Sequence, residues 1–235
     1  MSPIFYLKNL IGLLRGKPIF DLSYYREAEL SRLMNLFAHI DLDNYQGMKV
    51  LEVGAGIGHI GDIFRSLGFD VTSSDGRKEY VQKMIDNGRK AVVIDLDAID
   101  DKDLEGYDLV ISFGVLYHLS KPEHFLKTCA KNVKVLFLET SVSDSEEPMI
   151  EYITEKTGWF GQDQALNTVG CRPSPSWIEQ KCKEGGFSNI RDVSNQIANW
   201  QKAIFDWEAK NSKKWKMNGV NYRKMWVIEK TDNQQ

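Results

Sequence analysis

The sequence predicts an α/β fold in which helices cover both faces of a largely parallel sheet. From residue 49 onward, short apolar segments alternate with helix-like segments of about ten residues, an order typical of right-handed β-α-β crossovers. Segments 107–113 and 133–140 are almost continuously apolar, as strands in the middle of a covered sheet are. The chain has 235 residues, of which 42% are hydrophobic, so it can bury such a core.

The elements of the sheet follow in a regular order. The first five, alternately strand and helix, are predicted at 49–53, 57–67, 69–75, 77–87 and 90–96. After the acidic linker "DAIDDKDLEG", a strand, a helix and a strand are predicted at 107–113, 121–131 and 133–140.

The alternation loosens after Thr140. Residues 141–172 are predicted to form a long loop or broken helix, which leaves the fifth strand as a lid over the site. Ser174 and Pro175 then start a helix that ends at Gly185-Gly186. "FSNIRDV" and "RKMWVIEK" are expected to close the sheet as an antiparallel pair. They flank a second insertion, 195–222, which is rich in Trp and Lys.

The first 44 residues are predicted to form a helical extension or cap, and 45–235 the main part of a single domain. Residues 21–40 have a helical pattern whose apolar stripe contains Leu30, Leu33, Phe37 and Ile40. The first 17 residues predict an amphipathic helix, which either packs on the body or docks on a membrane surface or partner. Charged residues interrupt its apolar run, so no transmembrane segment is expected.

The net charge and the cysteines indicate which partners and which redox compartment to expect. The net charge is −3, so the whole molecule has no global bias toward nucleic acid. The three cysteines form no C-x-x-C pair, which favours a reduced, cytoplasmic setting. No metal site is expected.

The stretch "VLEVGAGIGHIG" contains two overlapping glycine patterns. Gly56, Gly58 and Gly61 have the G-x-G-x-x-G spacing of dinucleotide sites, which would suit an NAD-dependent oxidoreductase. Gly54 and Gly56 with Glu52 have instead the spacing E-x-G-x-G, which suits S-adenosylmethionine.

The end of the first strand separates these two patterns. The first glycine of such a site directly follows the strand, where the chain turns and exposes its N–H groups. The strand is predicted to end at Val53, so the turn begins at Gly54, and Gly61 falls inside the helix. The carboxylate of Glu52 would repel a pyrophosphate but attract the ammonium and sulfonium of S-adenosylmethionine. The position of the turn and the charge of Glu52 therefore favour S-adenosylmethionine over NAD.

Two further acids follow later strands. Asp75 ends the second strand, where its carboxylate can accept hydrogen bonds from both hydroxyls of a ribose. Asp95 ends the third strand, where it can accept from the exocyclic amine of adenine while Leu96 packs on the ring. The carboxyl ends of parallel strands meet at one edge of the sheet, so we expect these groups to bind one cofactor.

The motifs "VLEVGAGIG", "SSDG", "VIDLD" and "YDLVISFGVLYHL" resemble, in order and spacing, those of class I S-adenosylmethionine-dependent methyltransferases. The resemblance covers about residues 45–140, and "PSPSWIEQKCKEGGF" extends it weakly. It implies a Rossmann-like, seven-stranded sheet with a reversed final strand, methyl transfer as the reaction, and a methionine end shaped by Phe113 and Gly114. The expected cofactor contacts are Glu52, Gly54, Ala55, Gly56, His59, Asp75, Gly76, Asp95, Leu96, Phe113 and Gly114.

The acceptor side is less well specified. His118, five residues after the fourth strand, is the candidate general base; at its position many relatives have a structural residue, and His124 is a weaker candidate. Tyr117 is expected to line the pocket. From the lid, the expected substrate contacts are Trp159, Phe160 and Arg172.

We expect transfer to oxygen or nitrogen of a small molecule, such as a sugar or another secondary metabolite. The loop after the fourth strand has no Pro-Pro-aromatic or Pro-Cys motif, so chemistry on DNA bases is disfavoured. RNA modification is an alternative, because segment 210–224 mixes six basic residues with Trp215 and Tyr222. A non-catalytic subunit that binds S-adenosylmethionine is a further alternative.

Overall fold

A computed structural model of the chain describes residues 19–155, 165–194, 207 and 222–231. Nine strands lie within these ranges: β1 Lys49–Val53, β2 Asp70–Asp75, β3 Ala91–Val93, β4 Leu109–Phe113, β5 Val135–Ser141, β6 Ile150–Thr154, β7 Val169–Pro173, β8 Asn189–Asp192 and β9 Arg223–Glu229. The α-helices of the same ranges are α1 Ser23–Phe37, α2 His59–Ser66, α3 Lys78–Asp86, α4 Pro122–Asn132 and α5 Pro175–Gly185.

Seven strands form one sheet in the order β3-β2-β1-β4-β5-β9-β8. β1 pairs in parallel with β2 and β4, and the parallel pairing extends to β3 on one side and β5 on the other. β9 runs antiparallel to both β5 and β8, so it is the single reversed strand of the sheet. The predicted seven-stranded, mostly parallel sheet is confirmed. Its strand order reverses at β1, between β2 and β4, where open α/β sheets bind ligands.

Hydrophobic cores lie on both faces of the sheet. One core contains Leu126 of α4 and Ile178 of α5, and the other contains Leu36 of α1 and Phe64 of α2. The sequence signals for α5 are correct: Ser174 Oγ accepts the N–H of Trp177, and the helix ends at Gly185 and is capped by Gly186, whose φ is 112°. No helix within the described ranges is long and apolar enough to cross a membrane.

The predicted apolar stripe of α1 is partly wrong. Leu33 is buried, and Phe37 and Ile40 pack against the same core, but Leu30 is 52% exposed, and the helix ends before Ile40. The buried face also contains polar Ser31 and Asn35, and the Asn35 side chain donates to the carbonyl of Val193. Because polar residues lie on the buried face of α1, the hydrophobic pattern of the sequence does not show fully which face of the helix packs on the sheet.

The prediction of a loop or broken helix over 141–172 is also wrong. Strands β6 and β7 form an antiparallel pair in this segment, with Ile150 opposite Pro173. β7 lies against the 3-10 helix Leu116–His118 that follows β4, and the Cys171 thiol is 3.4 Å from the carbonyl oxygen of Leu116. Residues 156–164, with Trp159 and Phe160, lie outside the described residues, as do the first 18 residues and most of the 195–222 insertion.

Candidate functional site

A cavity opens at the carboxyl edge of the sheet, beside the ends of β1, β2 and β4. It encloses roughly 1090 Å³, including the space open to solvent at its mouth. Its walls contain nine of the predicted cofactor contacts: Glu52, Gly54, Ala55, Asp75, Gly76, Asp95, Leu96, Phe113 and Gly114. The predicted acceptor-side residues Tyr117 and His118 also line it, so the structure brings both groups into one cavity.

The turn after β1 requires glycine. Gly54, Gly56 and Gly58 have φ values of 60°, 58° and 83°, in the left-handed region that side chains disfavour. A Cβ atom on Gly54 would lie 2.5 Å from Cγ2 of Val115. Gly61 lies inside α2 and has no such φ value. The glycine register predicted from the end of the strand is therefore confirmed.

Glu52 lies beneath this turn. It is 3% exposed, its carboxylate accepts the Ser73 hydroxyl at 2.7 Å, and a Cβ atom on Gly61 would overlap Oε2 of Glu52. Burial raises the pKa of Glu52 to about 7, against the lowering effect of the Ser73 and Gly61 hydrogen bonds and of Arg65. The predicted acid therefore lies in the wall of the cavity, but neighbouring protein groups hold its carboxylate, and near pH 7 it is only partly ionised.

Asp75 joins the end of β2 to the glycine turn. Its Oδ2 accepts the N–H of Gly56 and its Oδ1 accepts the N–H of Arg77, both at 2.9 Å. Burial raises the pKa of Asp75, and these two N–H groups oppose the shift. Each carboxylate oxygen keeps a second lone pair, so Asp75 can still accept from two hydroxyls in the cavity.

Two acids follow β3, which ends at Val93 and is shorter than predicted. Asp95 is exposed at the cavity wall, and Leu96 is buried beside it. Asp97 is buried and accepts from the N–H and hydroxyl of Ser120, the N–H of Lys121 and the Asn167 side chain. Sequence reasoning missed Asp97, although "DLD" contains it, because nothing in the sequence reveals these distant donors.

His59 occupies a different place from the one expected. It begins α2, but its ring is not among the residues that line the cavity. Nδ1 lies 3.1 Å from Glu29 Oε1, and Nε2 lies 3.3 Å from Asp21 Oδ1. The ring therefore contacts the N-terminal segment and not the cavity. Gly56, also absent from the cavity wall, donates its N–H to Asp75 instead.

Four cavity residues come from the N-terminal segment: Phe20, Tyr25, Glu29 and Arg32. The segment "SYYREAE" predicts a helix that reaches the cofactor through Tyr24, Tyr25 or Arg26; of these, Tyr25 lines the cavity, whereas the other three lining residues were missed. A Cβ atom on Gly56 would lie 2.9 Å from the Phe20 ring, so this ring covers the glycine turn. Gly114, with φ 75°, would place a Cβ atom 2.6 Å from Nη2 of Arg32. The amphipathic pattern of the segment reveals its helix but not these contacts.

A buried ionic group lies beside Gly114, at the end of β4. Glu139 of β5 is fully buried and is bonded by Arg32 at 2.7 Å and by Arg223. Burial would raise the pKa of Glu139, but the two guanidinium groups outweigh it and the pKa is lowered. Arg223 and Arg172 both lie over the Tyr117 ring, at 4.9 and 5.2 Å from its centre. Arg172 is therefore near Tyr117, although it does not line the cavity itself.

His118 forms a pair with a carboxylate that sequence reasoning missed. Its Nδ1 lies 2.7 and 2.9 Å from the two carboxylate oxygens of Glu155, and Glu155 also accepts the N–H of Ala165 at 2.8 Å. Burial acts to raise the pKa of Glu155, but His118 and the Ala165 N–H outweigh it and the pKa is lowered. An ionised partner assigns the proton to Nδ1, which leaves the lone pair on Nε2. None of the described residues hydrogen-bonds to Nε2.

The second candidate histidine has a structural role. His124 Nε2 lies 2.7 Å from the carbonyl oxygen of Ile99, and the residue does not line the cavity. Glu155 itself carries no sequence signal, because it lies 37 residues after His118 in a segment whose strands the pattern did not reveal.

Residues 22–192 match a protein family described as a methyltransferase domain. This match spans more than half of the 235-residue chain. The chain belongs to the methyltransferase-domain family. The resemblance found in the glycine turn and the later strands is confirmed, and the cofactor of the domain is S-adenosylmethionine.

The curated proteins that are similar to this chain include two that are named tRNA U34 carboxymethyltransferase. The one from Mannheimia succiniciproducens is 28% identical over 169 residues, which cover 67% of this chain and 50% of that protein. The one from Actinobacillus succinogenes is 30% identical over 169 residues, covering 65% and 49%. The chain therefore spans about half the length of the curated relatives it matches.

Solved methyltransferase structures share the fold. The N-terminal domain of EvdMO1, crystallised in the presence of S-adenosylhomocysteine and D-fucose, has a TM-score of 0.63 at 17% identity, covering 87% of this chain and 82% of that one. An S-adenosylmethionine-dependent methyltransferase from Mesorhizobium loti has a TM-score of 0.59 at 12% identity, covering 85% and 98%. At these identities, the likeness concerns the fold alone.

The raised pKa of Glu52 predicts a pH-dependent stability. Between its ordinary value of 4.5 and about 7, the folded state binds a proton at Glu52 that the unfolded state releases. Its stabilising contribution is therefore complete below pH 4.5 and is lost as the pH rises through 7. Relative to Glu52→Gln, the free energy of unfolding of the wild type should fall by up to about 3 kcal/mol over this interval. Urea denaturation of both proteins at several pH values measures this; a difference that stays constant with pH contradicts the assignment.

Proposed function

We propose that this chain transfers the methyl group of S-adenosylmethionine to a hydroxyl oxygen of a small polar acceptor, with a sugar as the expected class. The single observation that carries the proposal is the His118–Glu155 pair in the wall of the cofactor cavity. A hydroxyl is a weak nucleophile, and a histidine whose other nitrogen is held by a carboxylate is suited to take its proton.

The chain's own groups suit the cofactor. Asp75 would accept from the ribose hydroxyls, and Asp95 would accept from the adenine amine beside the apolar Leu96. Backbone groups of the turn at Gly54 and Ala55 would face the methionine moiety, with Phe113 on its other side. A side chain at Gly54 or Gly114 would collide with Val115 or Arg32, so the glycines keep this cradle open.

The proposed step needs one base and no metal ligand from the described residues. Bound S-adenosylmethionine supplies an electrophilic methyl group on a positively charged sulfur. His118 Nε2 would accept the acceptor's hydroxyl proton as that oxygen forms its bond to the methyl carbon. The methyl–sulfur bond would break at the same time, and its electron pair would stay on the sulfur of the departing S-adenosylhomocysteine. Glu155 keeps the ring in the required tautomer and stabilises the imidazolium that results, while Tyr117 forms the adjoining wall. Positioning in a covered cavity supplies much of the remaining rate.

Transfer to a tRNA nucleoside is the second candidate. It is favoured by the names of the curated relatives, which match 65–67% of this chain. The basic segment 210–224 was the reason to expect RNA from the sequence, and residues 208–221 lie outside the described residues. The small-acceptor proposal has a different support: a fold neighbour was crystallised in the presence of D-fucose.

Methyl-labelled S-adenosylmethionine separates the two acceptor classes. The purified protein is incubated with a panel of sugars or sugar nucleotides and, separately, with total tRNA. Label is expected in the small-molecule fraction and not in tRNA. Labelled tRNA would overturn the small-acceptor proposal, and its loss in the variant Lys213→Glu/Lys214→Glu/Lys216→Glu would assign RNA binding to the basic segment.

Asp75 provides the test of the cofactor geometry. Asp75→Ala should weaken S-adenosylhomocysteine binding by at least about tenfold, because it removes the charge-assisted acceptor of two hydroxyl hydrogen bonds. Asp70→Ala is the matched control, since Asp70 lies at the start of the same strand and pairs with exposed Lys90. Calorimetry measures both affinities. Unchanged binding by Asp75→Ala would place the ribose elsewhere.

The base assignment predicts a rate effect without a binding effect. With the acceptor found above, His118→Ala should lower kcat by about 10²–10⁴-fold and leave the affinity for S-adenosylhomocysteine unchanged. Glu155→Gln should also lower kcat, because an amide no longer stabilises the imidazolium. His124→Ala, which removes only the contact to Ile99, is the control and should keep the wild-type kcat. A wild-type rate for His118→Ala across the pH range would remove the base from the mechanism.

A further inference from the structure

Residues 165–168, which lead into β7, contact the adenosine side of the cavity. We call them the bridge segment. Ala165 and Leu166 line the cavity, and a Cβ atom on Gly76 would overlap Cδ1 of Leu166. Gly76 directly follows Asp75, the proposed ribose acceptor. Leu166 is 46% exposed, so its apolar side chain is accessible at the place where the nucleoside of the cofactor is expected to bind.

A hydrogen bond also joins the bridge segment to Asp97, beside the expected adenine site. The side-chain amide of Asn167 donates to Oδ2 of Asp97 at 3.1 Å. Asp97 is buried and is itself fixed by hydrogen bonds from Ser120 and Lys121 at the start of α4. The segment therefore closes against both loops that bound the adenosine side.

The same four residues hold the partner of the proposed base. The N–H of Ala165 donates to Oε2 of Glu155, and the N–H of Glu155 donates to the carbonyl of Thr168, both at 2.8 Å. Thr168 has φ 57°, and among the described residues it is the only non-glycine with a positive φ. That conformation is strained for a β-branched residue and is held by its surroundings. A Cβ atom on Gly170 would overlap the Glu155 carboxylate, so this glycine also leaves room for it.

We infer that the bridge segment is a positioning element that couples the binding of the cofactor's adenosine to the placement of Glu155 and His118. The inference rests on the proposed function, because it takes the cofactor and base assignments made above. A nucleoside that covers Leu166 would hold the segment against the cavity wall and keep the Ala165 N–H on Glu155. Cofactor binding would thereby stabilise the alignment of His118 and Glu155 that the structure shows, which favours binding of the cofactor before the acceptor.

Amide hydrogen exchange with S-adenosylhomocysteine as the probe tests this coupling. At saturating probe, the amides of residues 165–168 should exchange at least about tenfold more slowly in the wild type than without it. Leu166→Ala should bind the probe about tenfold more weakly and, when saturated, should lose most of this protection. Leu30→Ala is the matched control, because Leu30 is 52% exposed on α1 and does not line the cavity.

The ¹⁵N chemical shifts of the His118 ring provide a second test. If the bridge segment had only a structural role, it would not change the response of these shifts to the probe. Addition of the probe should shift these signals in the wild type and in Leu30→Ala, and should leave them nearly unchanged in saturated Leu166→Ala. Asn167→Ala should reduce the response in the same way, whereas Asn132→Ala, which removes an exposed Asn–Asp hydrogen bond on α4, should not.

The outcomes separate the two proposals. If calorimetry finds no binding of the probe to the wild type, the proposed function fails. If the probe binds but the exchange of residues 165–168 does not change, or if saturated Leu166→Ala is protected as fully as the wild type, the bridge segment is not coupled to the cofactor. The cofactor assignment then stands alone.

Discussion

The hydrogen bond from the Gly56 N–H to the Asp75 carboxylate connects the glycine turn after β1 with the end of β2. The turn can form only because Gly54, Gly56 and Gly58 adopt left-handed conformations, and the bond fixes it against the neighbouring strand. Everything proposed for the cofactor depends on this arrangement, since it aims the turn and the acid of β2 into the same cavity.

The acids of the site differ in how well their neighbours offset the cost of burying a charge. Glu139 is ionised because Arg32 and Arg223 offset its desolvation, and Glu155 is ionised because His118 and the Ala165 N–H do so. Glu52, with only the hydroxyl and N–H of its neighbours and a more distant arginine, keeps a pKa of about 7. The partners of each acid thus decide its charge near neutral pH: Glu139 and Glu155 are ionised, and Glu52 is only partly ionised.

The alternation of strands and helices and the cofactor half of the site follow from local sequence features, whereas the reversed final strand was implied by the family resemblance. The end of β1 can be located from "KVLEV" followed by glycine, and the acids at later strand ends meet because parallel strands end at one edge. The acceptor half depends on contacts between distant segments. Glu155 meets His118 across 37 residues, and Arg32 meets Glu139 across 107, so no spacing rule indicates either pair. The β6–β7 pair was missed because β6 is largely exposed, β7 is largely buried, and neither strand shows a clear alternation.

Calorimetric titration with S-adenosylmethionine and with NAD, side by side, tests the central claim that this turn is an S-adenosylmethionine site. The glycine turn that begins at Gly54 and the carboxylate of Asp75 beside it predict that S-adenosylmethionine binds with one site per chain and that NAD does not bind. Binding of NAD in the absence of any binding of S-adenosylmethionine would contradict the account.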